Sequence, residues 1–268
     1  MMIRTTSCVL AVVILLAAGA AVQAAYVPLL QNTTTGEAIL FDNFESYAMY
    51  AAPDNCGPSA AAWGAPTNVG EGTGNAVGIW QNTYGTLTGG EGGQCLLLDR
   101  GTGGACSITG YGDASLSNAG DTVKATMLVY TFNSECSVYL NQGDTQLVQI
   151  GIYGGADTAP GHVKVVDPTG ASWIDTGLTI SGDAAPAWSK LEVTHVNGTD
   201  QFGISVNGSA QFVATGYAAG NLNAILFRPD DVHATGLFDA APVPEPSTIM
   251  LLTAGLAGLL AYAWRKRT

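Results

Sequence analysis

Nowhere between Ala25 and Pro244 does the sequence carry a sustained apolar stripe at helical spacing. Short runs of β-branched and aromatic residues recur there instead, separated by clusters of Gly, Asn, Asp and Ser. A helix buries one face only if apolar residues return about every 3.6 positions, whereas a half-buried strand needs them at every second one. The runs are Thr122–Tyr130, Cys136–Leu140, Leu147–Tyr153, His162–Val166, Trp188–Val196, Gln201–Val206, Gln211–Ala214 and Ala224–Phe227. In Gln201–Val206 the residues Phe202, Ile204 and Val206 share one face, which is predicted core, and Gln201 and Ser205 share the other. Asn197-Gly198 and Asn207-Gly208 stand between such runs, and both residue types tolerate the positive φ of tight hairpin turns. Three consecutive antiparallel strands are therefore expected around them. This pattern predicts an all-β protein built as an antiparallel sandwich, with one domain over residues 25–240.

Both ends of the chain depart from it. At the start, Arg4 precedes an apolar stretch from Val9 to Ala18, and Val22-Gln23-Ala24 offers a small-residue cleavage site. Residues 1–24 read as a signal peptide cut after Ala24. Cys8 lies ahead of the apolar stretch, where it cannot become the first residue of a mature lipoprotein. At the other end, Val243-Pro244-Glu245-Pro246-Ser247 leads into an uncharged run from Ile249 to Trp264 and then into Arg265-Lys266-Arg267. The two prolines keep the start of this tail extended. The sixteen residues of the apolar run reach only about 24 Å as a helix, so they cross a hydrocarbon core of about 30 Å with help from their flanks. The basic cluster stays on the cytoplasmic side.

Pro244-Glu245-Pro246, the apolar run and the terminal basic cluster together resemble a PEP-CTERM sorting signal, here over residues 241–268. The resemblance implies export, anchoring by a transmembrane helix, recognition by an exosortase after the secretion machinery, and delivery to the cell envelope or extracellular matrix.

Within the domain, twenty acidic residues stand against five basic ones: Arg100, Lys124, Lys164, Lys190 and Arg228. That balance repels phosphate backbones, so nucleic acid is not an expected partner. Cys56, Cys95, Cys106 and Cys136 form an even set in an exported chain and point to disulfides, with Cys95–Cys106 first because they flank the turn-forming Asp99–Gly104. The three histidines lie far from one another and from the cysteines, which argues against a zinc site.

A second resemblance lies in the strand candidates. Trp188–Val196, followed by Phe202-Gly203-Ile204-Ser205-Val206-Asn207-Gly208, resembles the Trp-x-x-aliphatic-x-Val-Thr strand and the Asn-Gly hairpin of laminin-G-like, concanavalin-type jelly rolls. It departs from them where Ile204-Ser205-Val206 replaces a frequent tyrosine. Phe41–Tyr47 and Asp230–Val232 look like the first and last strands, which are sheet neighbours in that fold.

Such folds include glycan-cleaving enzymes, but no single strand carries two acids at the i, i+2 or i+4 spacing that would bring a carboxylate pair together on one face. Glu192 is the lone acid of its strand, and most other acids sit singly in turns, where Asp caps its own backbone. There is no Gly-x-Ser-x-Gly elbow, and the glycine-rich stretches at 70–74 and 89–93 lack the Lys-Ser/Thr of a phosphate loop. The chain reads as a non-catalytic envelope protein, with a secreted hydrolase or lyase on the same fold as the alternative. Trp63, Trp80, Tyr84 and Trp173, in or beside loops, are the candidate rings for stacking on sugars. No cofactor is implied; calcium, if bound, would take oxygen ligands such as Asp42, Asp230 and Asp231.

Intact-mass measurement of the protein recovered from its host is expected to give a chain that starts at Ala25 and ends near Pro244. Recovery of full-length chain ending at Thr268 would contradict processing of the tail.

Overall fold

The computed structural model describes residues 26–45, 47, 62–67, 75–81, 93–132, 134–154, 160–181, 187–231 and 233–242. The signal-peptide and sorting segments, with Ala24, Pro244, Glu245, Pro246, Arg265, Lys266 and Arg267, lie outside these residues, as do Cys56 and Tyr84. Among the described residues no helix is long and apolar enough to cross a membrane.

Sixteen strands are described: β1 (Leu30–Asn32), β2 (Ala38–Leu40), β3 (Ala62–Trp63), β4 (Ala76–Gln81), β5 (Gln94–Asp99), β6 (Ile108–Tyr111), β7 (Thr122–Thr131), β8 (Glu135–Gln142), β9 (Thr145–Tyr153), β10 (Gly161–Val166), β11 (Trp173–Ile180), β12 (Ser189–Val196), β13 (Phe202–Val206), β14 (Phe212–Ala214), β15 (Ala224–Pro229) and β16 (Thr235–Asp239). The only helical element among the described residues is a single 3₁₀ turn, Ala114–Leu116. The strands form two antiparallel sheets. One runs β14-β13-β12-β7-β16-β5-β4, with β1 paired to β7 and β2 to β1, and the other runs β11-β10-β9-β8-β15-β6-β3. The compact body spans Val27–Ala241.

Alternation explains why the sheets face each other. On β12 and β13, Leu191, Val193, Phe202, Ile204 and Val206 are buried; on β8 and β9, Cys136, Val138, Val148, Ile150 and Ile152 enter the same core. Aromatic rings carry the contact from sheet to sheet, with Trp63 6.3 Å from Phe227 and Phe227 4.5 Å from Phe238. The buried Asp42 fixes one end of that row by accepting from Trp63 Nε1 (2.7 Å), the Phe44 amide (2.7 Å) and the Tyr47 hydroxyl.

All eight runs expected from alternation are strands within a few residues of their expected ends. The β12-β13-β14 meander is present, with Leu191 opposite Val206 and Ile204 opposite Phe212. Its two hairpins differ. At the second, Asn207 and Gly208 both take positive φ (51° and 75°); at the first, Gly198 does (82°) and Asn197 does not. The reason lies in Asn197's side chain, which is buried and donates to Ser117 Oγ (2.7 Å) and the Asn118 carbonyl (3.0 Å) while accepting from the Leu222 amide (3.0 Å).

Three expectations are corrected. Phe41–Tyr47 is not a strand, since Phe44 takes a φ of 59° over the core, and Asp230 and Asp231 follow the end of β15. β1 and β16, the first and last described strands, pair with different stretches of β7, and the chain ends meet just outside them, where the Val27 amide donates to the Ala241 carbonyl (2.8 Å). Cys95, Cys106 and Cys136 are free, buried thiols. β5 and β6 belong to different sheets, so the expected hairpin between Cys95 and Cys106 does not exist. Cys106 and Cys136 enter the core between the sheets, whereas Cys95 packs with Leu128, Tyr130, Trp188 and Leu237 in a separate apolar cluster. Burial pushes the Cys95 thiol up to about 12 and the Cys106 thiol up to about 11, which suppresses their nucleophilic thiolate forms.

Replacing Asn197 with Ala strands the Leu222 amide and removes two donated bonds inside the body. A loss of about 2–4 kcal/mol is expected in denaturant unfolding; a change under about 0.5 kcal/mol, the range of neutral surface substitutions, would show that the hairpin does not depend on this side chain.

Candidate functional site

The core-facing residues of β8, β9, β10 and β15 leave a second set on the opposite face of the seven-stranded sheet. Glu135 lies opposite Tyr153, Ser137 opposite Gly151, and Tyr139 opposite Gln149; Arg228 flanks Ser137 from β15, and Lys164 flanks Gly151 from β10. Trp173 begins β11 opposite Val166. On this face lies a cleft of about 330 Å³, walled by Glu135, Gln149, Arg228 and Asp230 on one side and by Val166, Gly170, Ala171, Ser172 and Trp173 on the other.

Each wall has a local cause. Asp167 opens the turn between β10 and β11, and its Oδ1 accepts from the Thr169 amide (2.8 Å), Thr169 Oγ1 (2.6 Å) and the Ala171 amide (3.1 Å), while Ser172 donates to its other oxygen. Those bonds hold its carboxyl well below the usual range, the hydroxyls of Ser172 and Thr169 contributing most. An Asp-Pro-Thr-Gly sequence favours this turn, because Asp caps the backbone ahead of it and Gly170 supplies a positive φ of 76°. Trp173 then reaches back over β9 because residue 151 is glycine: a Cβ there would lie 2.7 Å from the indole ring. The indole meets the Tyr153 ring edge to face, 5.9 Å between centroids.

On the opposite wall, Arg228 donates from Nε to Asp230 Oδ1 (2.7 Å), and its Nη2 lies 2.6 Å from the same oxygen. Ser137 donates to the other Asp230 oxygen and accepts from Gln149 Nε2 (3.1 Å). The guanidinium sits over the Tyr139 ring at 4.7 Å, and the Lys164 ammonium over Tyr153 at 4.0 Å. Glu135 is buried and bonds to the Tyr153 hydroxyl, yet forms no ion pair among the described residues. Burial first, and then the carboxylates of Asp230 and Asp231, push its carboxyl above the ordinary value against the Tyr153 bond and Lys164. Tyr139 and Tyr153 are raised as well, chiefly by burial, so both stay protonated donors at neutral pH. The Tyr139 side chain is 5% exposed, with its hydroxyl beside Ser137.

Of the rings expected to meet sugars, Trp173 alone lines this cleft. Trp63 is fully buried against Asp42 and is withdrawn as a contact residue. Trp80 belongs to the other sheet, half-buried on the cluster around Cys95. The expected calcium ligands are apart in role: Asp42 braces the core, Asp230 is paired with Arg228, and Asp231 accepts from the Glu135 amide at 3.3 Å. Among the described residues no group of three His, Cys, Asp or Glu side chains is placed to hold a metal. His195 is buried and faces the Gln201 and Gly220 carbonyls at 2.9 Å each. Glu135, Tyr139, Gln149 and Tyr153 escaped notice, although alternation along β8 and β9 marks them as the partners of the core positions.

Residues 242–267 match the PEP-CTERM protein-sorting motif. The chain carries an exosortase sorting signal. The motif marks an exported protein sorted to the cell envelope. No curated protein matches the chain. Among solved structures it is similar to a sialidase (TM-score 0.43, 8% identity), covering 63% of this chain and 17% of the sialidase. It is also similar to the globular domain of a T. cruzi calreticulin (0.41, 9% identity, 71% of this chain and 87% of that one). A third is a Bacillus licheniformis β-glucanase (0.35, 12% identity, 70% and 100%). At these scores the likenesses carry no argument about what the cleft binds.

The raised Glu135 carboxyl means that the folded state holds this proton more tightly than the unfolded chain. Stability is therefore lost as pH rises from the ordinary glutamate value through the raised one. Replacing Glu135 with Gln is expected to raise the melting temperature at pH 7, with the gain vanishing near about pH 3, where both states carry the proton. An equal gain at both pH values would rule out this origin.

Proposed function

We propose that this exported envelope or matrix protein holds polysaccharide, without cutting it, in the cleft beside Trp173. The observation that carries the reading is the combination, in one cleft, of an indole laid across Gly151 with the Glu135 carboxyl. A sugar ring offers an apolar face for the indole, and its hydroxyls would satisfy the buried polar groups around it. The sorting signal supports placement where such polymers are found. The hydrophobic helix of the tail would anchor the precursor in the membrane for the exosortase.

A second reading, a hydrolase or lyase on the same sheet, is favoured by the approach of Glu135 and Asp230 across β8 and β15, where the Asp230 amide donates to the Glu135 carbonyl (2.9 Å). Against it, Asp230 is already bonded to Arg228 and Ser137, which leaves one unpaired carboxyl where glycoside hydrolysis uses two.

The detergent-solubilised full chain is expected to be retained by at least one immobilised polysaccharide without releasing new reducing ends or unsaturated products. Replacing Trp173 with Ala should weaken retention tenfold or more, about 1.4 kcal/mol. Product formation would replace the binding reading with the enzymatic one. Retention untouched in the Trp173 variant would remove the cleft from the function.

A further inference from the structure

Glu135 is unusual among the acids of this face. Asp230 has Arg228, and Glu192 on the other sheet has both Lys124 (2.6 Å) and Lys190 (3.3 Å). Glu135 is only 9% exposed, lies at the cleft wall, and makes no ion pair. A buried carboxylate without a cation is costly, and a protein that keeps one beside an opening has left a charge for something that enters. The two cations of this face do not fill that role. Arg228 has both its Nε and Nη2 on Asp230, and Lys164 is drawn over the Tyr153 ring. Asp230 and Asp231 add further negative potential at Glu135. The second, independent observation is the Trp173 indole, laid over Gly151 and lining the same cleft, which offers an apolar ring face beside that carboxyl.

Resting on the reading of the cleft as a glycan site, we infer that it selects a sugar with a free amine, the ammonium set against Glu135 and the ring stacked on Trp173. An amine-bearing polysaccharide also suits a domain in which twenty acids face five bases, since that field gathers polycations and repels uronate and sulfate polymers.

The test is calorimetric titration of the full chain in detergent with four probes of equal length: glucosamine oligomers with free amines, their N-acetylated counterparts, uronate oligomers and oligolysine. The free-amine sugar is expected to bind at least tenfold tighter than the N-acetylated one, and the uronate not at all. Glu135→Gln should shrink that tenfold preference to threefold or less by weakening the free-amine sugar more than the N-acetylated one, and Trp173→Ala should weaken both sugars. Equal binding of amine and N-acetyl forms, still sensitive to Trp173, would overturn the charge selection and leave the glycan site standing. Oligolysine binding as well as the amine sugar, insensitive to Trp173 and Glu135, would mean general surface attraction and overturn the inference. No binding by any sugar would overturn the glycan reading itself.

Discussion

The pleat of the strand governs this molecule. Once Cys136 and Val138 of β8, Ile150 and Ile152 of β9, and Phe227 of β15 are committed to the space between the sheets, the residues between them have to emerge on the far side. Glu135, Ser137, Tyr139, Gln149, Tyr153 and Arg228 are that remainder. The cleft is thus fixed by the same packing that holds the body together, and a one-residue slip between β8 and β9 would dismantle core and cleft at once.

The polar chain on this face gains its order from few groups. Asp230 receives Arg228 on one oxygen and Ser137 on the other, and its own carbonyl accepts from Arg100. Gln149 then extends the chain to β9. Each link restrains a rotamer, so the wall is preorganised, and binding there would cost little further side-chain ordering. Glu135 stands beside this chain without an ion pair among the described residues.

Alternation made the long strands legible because β7, β8, β9, β12 and β13 have enough uninterrupted β-branched and aromatic residues to show a period. It failed at β4, β6, β11 and β16, where glycine interrupts the runs: Ala76-Val77-Gly78-Ile79, Ile108-Thr109-Gly110-Tyr111, Thr176-Gly177-Leu178 and Thr235-Gly236-Leu237-Phe238. The glycine at 110 looks like a turn signal in isolation and is in fact a packing requirement, since a Cβ there would lie 3.0 Å from the Trp63 ring. The disulfide expectation failed for a related reason. Nearness along the chain suggested a hairpin, yet the chain crosses from one sheet to the other between Cys95 and Cys106. Of the stacking candidates, Trp173 could be selected only with the β9–β11 geometry in hand, because what exposes its ring is the absence of a side chain on a different strand.

The lone thiols bear on how such a body is held together. Cys95, Cys106 and Cys136 are sealed in apolar surroundings without a covalent tie among them, so the sandwich owes its cohesion to burial rather than to cross-links. Thiols sealed in this way are shielded from oxidants in solution, and these three contribute packing to the fold in place of a covalent tie.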